Sequence, residues 1–158
     1  MTTALATPTS TGPVRVPAHR TVTKKLGHWT SEREFDVRAH RGHATVDLRS
    51  PRIPAGDITL GVDLDHASLT LLVPDGAVLD DWGLRRAGRA KVSDSEGPGT
   101  PGGRRIVVTG QLRGSEIRVR RGGLAVLTAM CSREFLADAR QARKEGRHPT
   151  VHDPAGQA

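Results

Sequence analysis

Tyrosine is absent from this 158-residue chain, and its other aromatics are only Trp29, Trp82, Phe35 and Phe135. That scarcity argues against sugar-cleaving clefts and single-strand base-stacking surfaces, both of which depend on aromatic platforms. It also points to a core of Val, Leu, Ile and Ala, which suits thin strand layers better than a bulky centre. Cys131 is the single cysteine, which excludes an internal disulfide and a cysteine zinc cluster. The longest nearly apolar run, residues 122–130, is too short to span a bilayer. The opening "MTTALATPTSTGPVRVP" has neither a basic n-region nor an apolar h-region. A cytoplasmic protein with no transmembrane segment is therefore expected. There is no G-x-x-x-x-G-K-[ST] and no G-x-G-x-x-G phrase, so no nucleotide loop of those kinds is read.

What the chain does have is basic charge, +7 in total and unevenly spread. Residues 1–30 carry Arg15, Arg20, Lys24 and Lys25 with no acid, and residues 95–127 carry six basic side chains against two acidic. Arginine far outnumbers lysine. Its planar fork suits phosphate or carboxylate, although a genomic bias towards arginine is the simpler account. Arg104, Arg105, Arg113, Arg118, Arg120 and Arg121 form the candidate anion-binding set, with Arg118 and Arg120 on one strand face. A solvated face that keeps an exposed strand from pairing is the alternative.

The apolar pattern is that of short strands. Phe35, Val37 and Ala39 alternate with polar residues, as do Ala44, Val46 and Leu48 after an "HRGH" turn in which Gly42 is free to take positive φ. Ile58, Leu60, Val62 and Leu64 follow, then Leu69, Leu71 and Val73. Weaker strands are expected around Val78 and Lys91–Val92, a loop over 95–103, and strands at 105–109 and 115–120. "PVRVPAHRTVTKKL" reads as a first strand weakened by Pro13 and Pro17. One helix is expected over residues 128–146, capped by Ser132, with a short apolar stripe at Phe135, Leu136, Ala139 and Ala142. The domain plan is a disordered arm over 1–17, a β-domain over 18–127, the helix over 128–146 packed on that domain and covering an open end, and a disordered tail over 147–158.

"GHATVDL", "GDITLGV" and "GSEIRVR" repeat one phrase, and "HASLTLLV" has its shape without the glycine. Such recurrence marks either stacked coils or ordinary sandwich strands. The stretch "ATVDLRSPRIPAGDITLGVDLDHASLTLLVPDGAVLDDWG", followed by "IVVTGQLRGSEIRVRR", resembles the C-terminal β-domain of LiaF-like proteins, the cell-wall-active-antibiotic response family, and its small actinobacterial relatives. The matching segments are 42–48, 71–78 and 114–120, within a resemblance over residues 34–121. It implies a β-solenoid-like module acting through protein contacts in envelope-stress signalling, often beside membrane helices and a sensor kinase. This chain departs from that pattern in lacking transmembrane helices and the glycine before "HASLTL".

The chemistry-bearing residues are few. Asp63 and Asp65 share one strand side about 7 Å apart, a spacing open to an inverting glycosidase pair or a calcium site but better read as solvated acids. His40, His43, His66 and Cys131 lack metal-site spacing, and Pro149 separates His148 from His152. Ser132 has no identifiable base. The expectation is an all-β, small β-solenoid-like stack, resembling a single-stranded right-handed β-helix, with one C-terminal α-helix; a β-sandwich is the alternative. The expected function is a non-catalytic protein-interaction module in cell-envelope or antibiotic-stress regulation, without catalytic, metal or cofactor residues. Its expected partner is a protein, a second copy included. A polyanion or nucleic-acid binder using the six arginines is the alternative.

Overall fold

The computed structural model describes residues 13–94, 103–121, 128–130, 133–146 and 151. The strands are β1 (Val14–His19), β2 (Val22–Lys25), β3 (Glu34–His40), β4 (His43–Asp47), β5 (Ile58–Asp65), β6 (Ser68–Leu72), β7 (Val78–Asp80), β8 (Leu84–Ala87), β9 (Lys91–Asp94), β10 (Arg105–Arg113) and β11 (Glu116–Arg120). The helix α1 spans Arg133–Glu145. One sheet runs β1-β3-β5-β10-β7 with β8 also on β10, and the other runs β2-β4-β6-β11-β9. Each passage through the first sheet turns a corner into the second, so β1–β2, β3–β4, β5–β6 and β10–β11 are successive turns of a β-solenoid. All pairings among the described residues are parallel, which sets aside the sandwich alternative.

The alternation in sequence becomes rows in register across the coils. Phe35, Leu60 and Val108 form one inward row, Ala18, Ala39, Leu64 and Leu112 another. Ala44, Leu69 and Ile117 face them from the second sheet, beside Val46, Leu71 and Val119. All belong to one buried cluster. The repeated phrases map onto this order: "GHATVDL", "HASLTLLV" and "GSEIRVR" are β4, β6 and β11 of the second sheet, whereas "GDITLGV" is β5 of the first.

The stacking is not sequential. β7, β8 and β9 take the outermost position, and β10–β11 return to fill the place between them and β5–β6. Burial accounts for the inversion. Ile106, Val108 and Leu112 of β10 are at most 1 % exposed, and each such side chain is worth about 2 kcal/mol when buried, which needs neighbours on both flanks. The short β8 exposes Arg85, Arg86 and Ala87, and short charged strands suit an edge. β8 is a strand that the apolar pattern alone did not predict, because Leu84 is its one large apolar residue.

Four expectations need correction. The arm expected over 1–17 ends earlier, because Val14–His19 is a strand whose Val16 is fully buried. Pro17 is tolerated there since β1 lies at a sheet edge; residues 1–12 lie outside the described residues. β3 and β4 are not a hairpin but belong to different sheets, and the left-handed residue between them is Arg41 (φ 49°), not Gly42. Gly42 is required for another reason: a Cβ there would lie 2.2 Å from the Ala18 carbonyl oxygen.

The third correction concerns the C-terminal segment, which docks along the side of the stack. Leu72 points outward from β6 yet is fully buried, in a cluster with Leu26 and Ala129 against which Val151 packs. Leu26, Asp47 and Leu72 follow or end the neighbouring strands β2, β4 and β6, so this is a lateral surface and not an open end. In α1, Ala142 is buried whereas Leu136 is 53 % exposed, so the expected stripe is only partly used among its described side chains, Phe135 lying outside them. Fourth, Val151 was expected in a disordered tail. Its N–H donates to Asp138 Oδ2 (3.0 Å) and its carbonyl accepts from Arg49 Nη2 (3.2 Å).

Arg49 is itself held by Asp47 in a buried two-point ion pair, Nε to Oδ1 and Nη2 to Oδ2, both 2.9 Å. The Gly27 N–H also donates to Asp47 Oδ2 (2.9 Å). Removing one member of a buried pair strands the other charge. Asp47→Ala should therefore cost ~3 kcal/mol in chemical denaturation and expose the Val151 region to limited proteolysis; an unchanged midpoint would show that the pair is dispensable.

Gly110 in the centre of β10 has φ 111°, and a Cβ there would lie 1.9 Å from the Val62 carbonyl oxygen. Gly110→Ala is expected to destabilise by ~2 kcal/mol or more. Gly61→Ala, where the nearest atom is 3.7 Å away, should be near neutral in the same urea titration. Equal effects would refute the close-packing account.

Candidate functional site

The six arginines predicted as one anion site are dispersed. Arg104 donates to the carbonyls of Ile53, Pro54 and Gly56 and pins the loop that carries them. Arg105 pairs with Asp80, and Arg113 reaches Asp63 at 3.6 Å and Asp65 at 3.9 Å. These lie beside or on β10, in the first sheet. Arg118 and Arg120 do share the outer face of β11, as expected, but in the second sheet, and Arg118 pairs with Glu116 at 3.1 Å. Arg121 is 2 % exposed, bound to Asp94 at 2.5 Å and to the Ala77 carbonyl. It is a buried structural cation, which removes it from an anion-binding set.

Asp63 and Asp65 do share a face, and their neighbours explain them. Gln111 Nε2 donates to Asp63 Oδ1 at 3.4 Å. Asp65 meets His66 Nδ1 at 2.6 Å and His40 Nδ1 at 3.2 Å. The His66 hydrogen bond, helped by Arg113, holds the Asp65 carboxyl below the usual range, so it stays an anion rather than a general acid. His19 stacks on His40 in the next coil, ring centroids 5.2 Å apart. His43 turns to the other sheet, with Nδ1 2.6 Å from Ser68 Oγ and Nε2 3.2 Å from Thr45 Oγ1. Cys131, Ser132, His148 and His152 lie outside the described residues.

Two surface features escaped the sequence reading. One is the corner where the first sheet turns into the second. Each coil makes this corner with a first residue in the left-handed region: Arg20 (φ 50°), Arg41 (49°), His66 (48°), Gly114 (56°) and Gly88 (66°). Their N–H groups hydrogen-bond the next coil, Arg20 to His40, Arg41 to Asp65, His66 to Arg113 and Gly114 to Ala87. Arg20, Arg41 and His66 are the positive-φ non-glycine residues among those described. The signal was present in "HRTV", "HRGH", "DHAS" and "RGSE", which place the same two-residue turn at the same point of four coils.

The other feature is Trp82, 94 % exposed between β7 and β8. The turn that carries it is braced by hydrogen bonds. The backbone N–H of residue 82 donates to Asp80 Oδ1 (3.2 Å), Asp80 is bound by Arg105, and the adjacent Asp81 pairs with Arg86 at 2.5 Å. A groove of about 420 Å³ adjoins it, lined by Gly83, Arg85, Gly110, Gln111, Val62 and Asp63. No family model, curated protein or solved structure matches the chain. Among the described residues, no helix is long and apolar enough to cross a membrane.

Burial, reinforced by Lys24 and Arg118, lowers the pKa of His43 from its ordinary 6.5, and burial with Arg52 does the same for His28. Both are neutral in the fold, so the unfolded chain binds more protons below that pH. Stability should hold above pH 6.5 and fall as pH drops from there through the lowered folded values. His43→Gln should flatten part of that decline in denaturation midpoints across pH 7 to 5, and an unaltered slope would contradict the assignment.

Proposed function

We propose that this chain is a non-catalytic protein-interaction module whose partner docks on the terminal edge around Trp82. The exposed indole carries the reading. In a chain with so few aromatics, a tryptophan held in solvent by a braced turn contributes nothing to the core. Tryptophan is the side chain that most often dominates a protein interface. The groove beside it offers Arg85, Gln111 and Asp63 as polar complements to an apolar anchor. The resemblance of residues 34–121 to LiaF-like C-terminal domains supplies the context, cell-envelope or antibiotic-stress regulation, and a membrane-associated sensor component as the kind of partner.

The test is in-cell crosslinking of the tagged chain at physiological salt, with and without nuclease, for wild type and Trp82→Ala. Envelope or kinase components recovered regardless of nuclease, and lost at least tenfold in the variant, are the expected result. The variant should keep its thermal unfolding midpoint, since Trp82 buries almost nothing. Recovery that survives Trp82→Ala would defeat the docking assignment. Recovery that collapses with nuclease would favour a nucleic-acid role instead.

A further inference from the structure

We propose that the corner between the two sheets is a binding site for a phosphate group, carried by Arg41, Arg89 and Lys91 with His66 and Ser68. These residues line a concavity of about 460 Å³ whose acidic member is Glu116. Arg41 and Arg89 have no acidic partner within 4.0 Å among the described residues, unlike Arg105, Arg113, Arg118 and Arg121. Glu116 is already engaged by Arg118 at 3.1 Å. Three permanent cations therefore share this concavity with one carboxylate, which Arg118 already pairs and Lys91 also attracts. That balance suits a doubly charged phosphate better than a single carboxylate, and arginine forks match phosphate oxygens in pairs.

Backbone conformation is a second, independent observation. The turn needs a left-handed first residue, and glycine meets that need without strain at Gly88 and Gly114. At positions 20, 41 and 66 the chain instead places arginine, arginine and histidine. At two of these positions a permanently cationic arginine is thus kept where it opposes local stability, and such strain gathers at binding sites. Gly114 has no side chain, and the His66 ring packs over it, 3.4 Å from where a Cβ would be. Gly114 and His66 thus lie between Arg41 on one flank of the concavity and Arg89 and Lys91 on the other. Ser68 Oγ, beside His43 Nδ1 at 2.6 Å, adds a hydroxyl that can donate to an anion while accepting from the imidazole.

Folding and binding should respond in opposite directions to one substitution. In Arg41→Gly the strained turn is relieved, so the full-length variant should unfold at an equal or higher temperature. Combined with Arg89→Ala, it should bind pyrophosphate at least tenfold more weakly in calorimetric titration at low salt. Glu116→Gln should bind it several-fold more tightly, and Arg15→Ala with Arg33→Ala, by the ends of β1 and β3 away from the corner, should leave affinity unchanged. Vesicles of phosphatidylcholine with and without phosphatidic acid identify the source of the phosphate. Corner-dependent binding to the acidic vesicles alone assigns a lipid headgroup, and to pyrophosphate alone a soluble phosphate. Absence of binding to both probes, affinity unchanged by the corner variants, or equal loss in the remote variants would overturn the proposal.

Discussion

Two residues are all that four of the coils have in which to leave the first sheet and enter the second, and the outermost corner, between β8 and β9, has three. The geometry permits this only if the first of them is left-handed, and the five corners at Arg20, Arg41, His66, Gly114 and Gly88 obey that requirement. The hydrogen-bond ladder then continues around the bend, with His43, Ser68, Glu116 and Lys91 donating to Thr21, Gly42, Ala67 and Ser115 of the adjacent coils. A turn of fixed length fixes register, and register decides which side chains point inward. One residue more in a single corner would turn Leu69 and Leu71 out and Thr70 in. The rows of Val, Leu, Ile and Ala that form the core are thus a consequence of the corner as much as of apolar content. Gly42 shows how tight the constraint is, since any side chain there would strike the Ala18 carbonyl.

The same ladder explains why chain order and spatial order differ. A parallel stack has two ends with unpaired backbone, and the strands placed there must tolerate water. The β1–β2 coil carries Arg15, Pro17, Lys24 and Lys25 on its strands and Arg20 at its corner, and the β7–β9 end carries Arg85, Arg86 and Lys91. The long apolar β10 belongs in the middle, although it comes late in the chain. Gly110 lets it fit there, because β10 approaches Val62 of β5 more closely than any Cβ would allow.

Local pattern was legible and non-local placement was not. Period-two alternation identified the faces of β3 to β6 and β11, since each residue's exposure is set by its own strand. The inserted position of β10–β11, the lateral seat of Leu72 under Ala129, and the anchoring of Val151 by Arg49 all depend on partners remote in sequence. The arginine cluster failed for the same reason. Proximity along the chain put Arg113, Arg118 and Arg121 together, but consecutive strands lie in opposite sheets, and each arginine meets a different acid.

Where such a fold can carry function follows from its outward rows. Parallel register stacks equivalent side chains in adjacent strands about 4.8 Å apart, so a row of one sign repels itself. On the first sheet this is avoided by alternation: Arg38 is followed by Asp63 and Gln111 in register, and His40 by Asp65 and Arg113. Those rows neutralise internally and have little left to offer a ligand. The corner row is different. Arg20, Arg41 and His66 succeed one another with no acid among them, and the row meets Arg89 across Gly114. His66 is met by Asp65, but Arg41 and Arg89 have no such acid among the described residues, so the excess charge that the in-register rows of the first sheet offset is left at this corner for an anion from outside the chain.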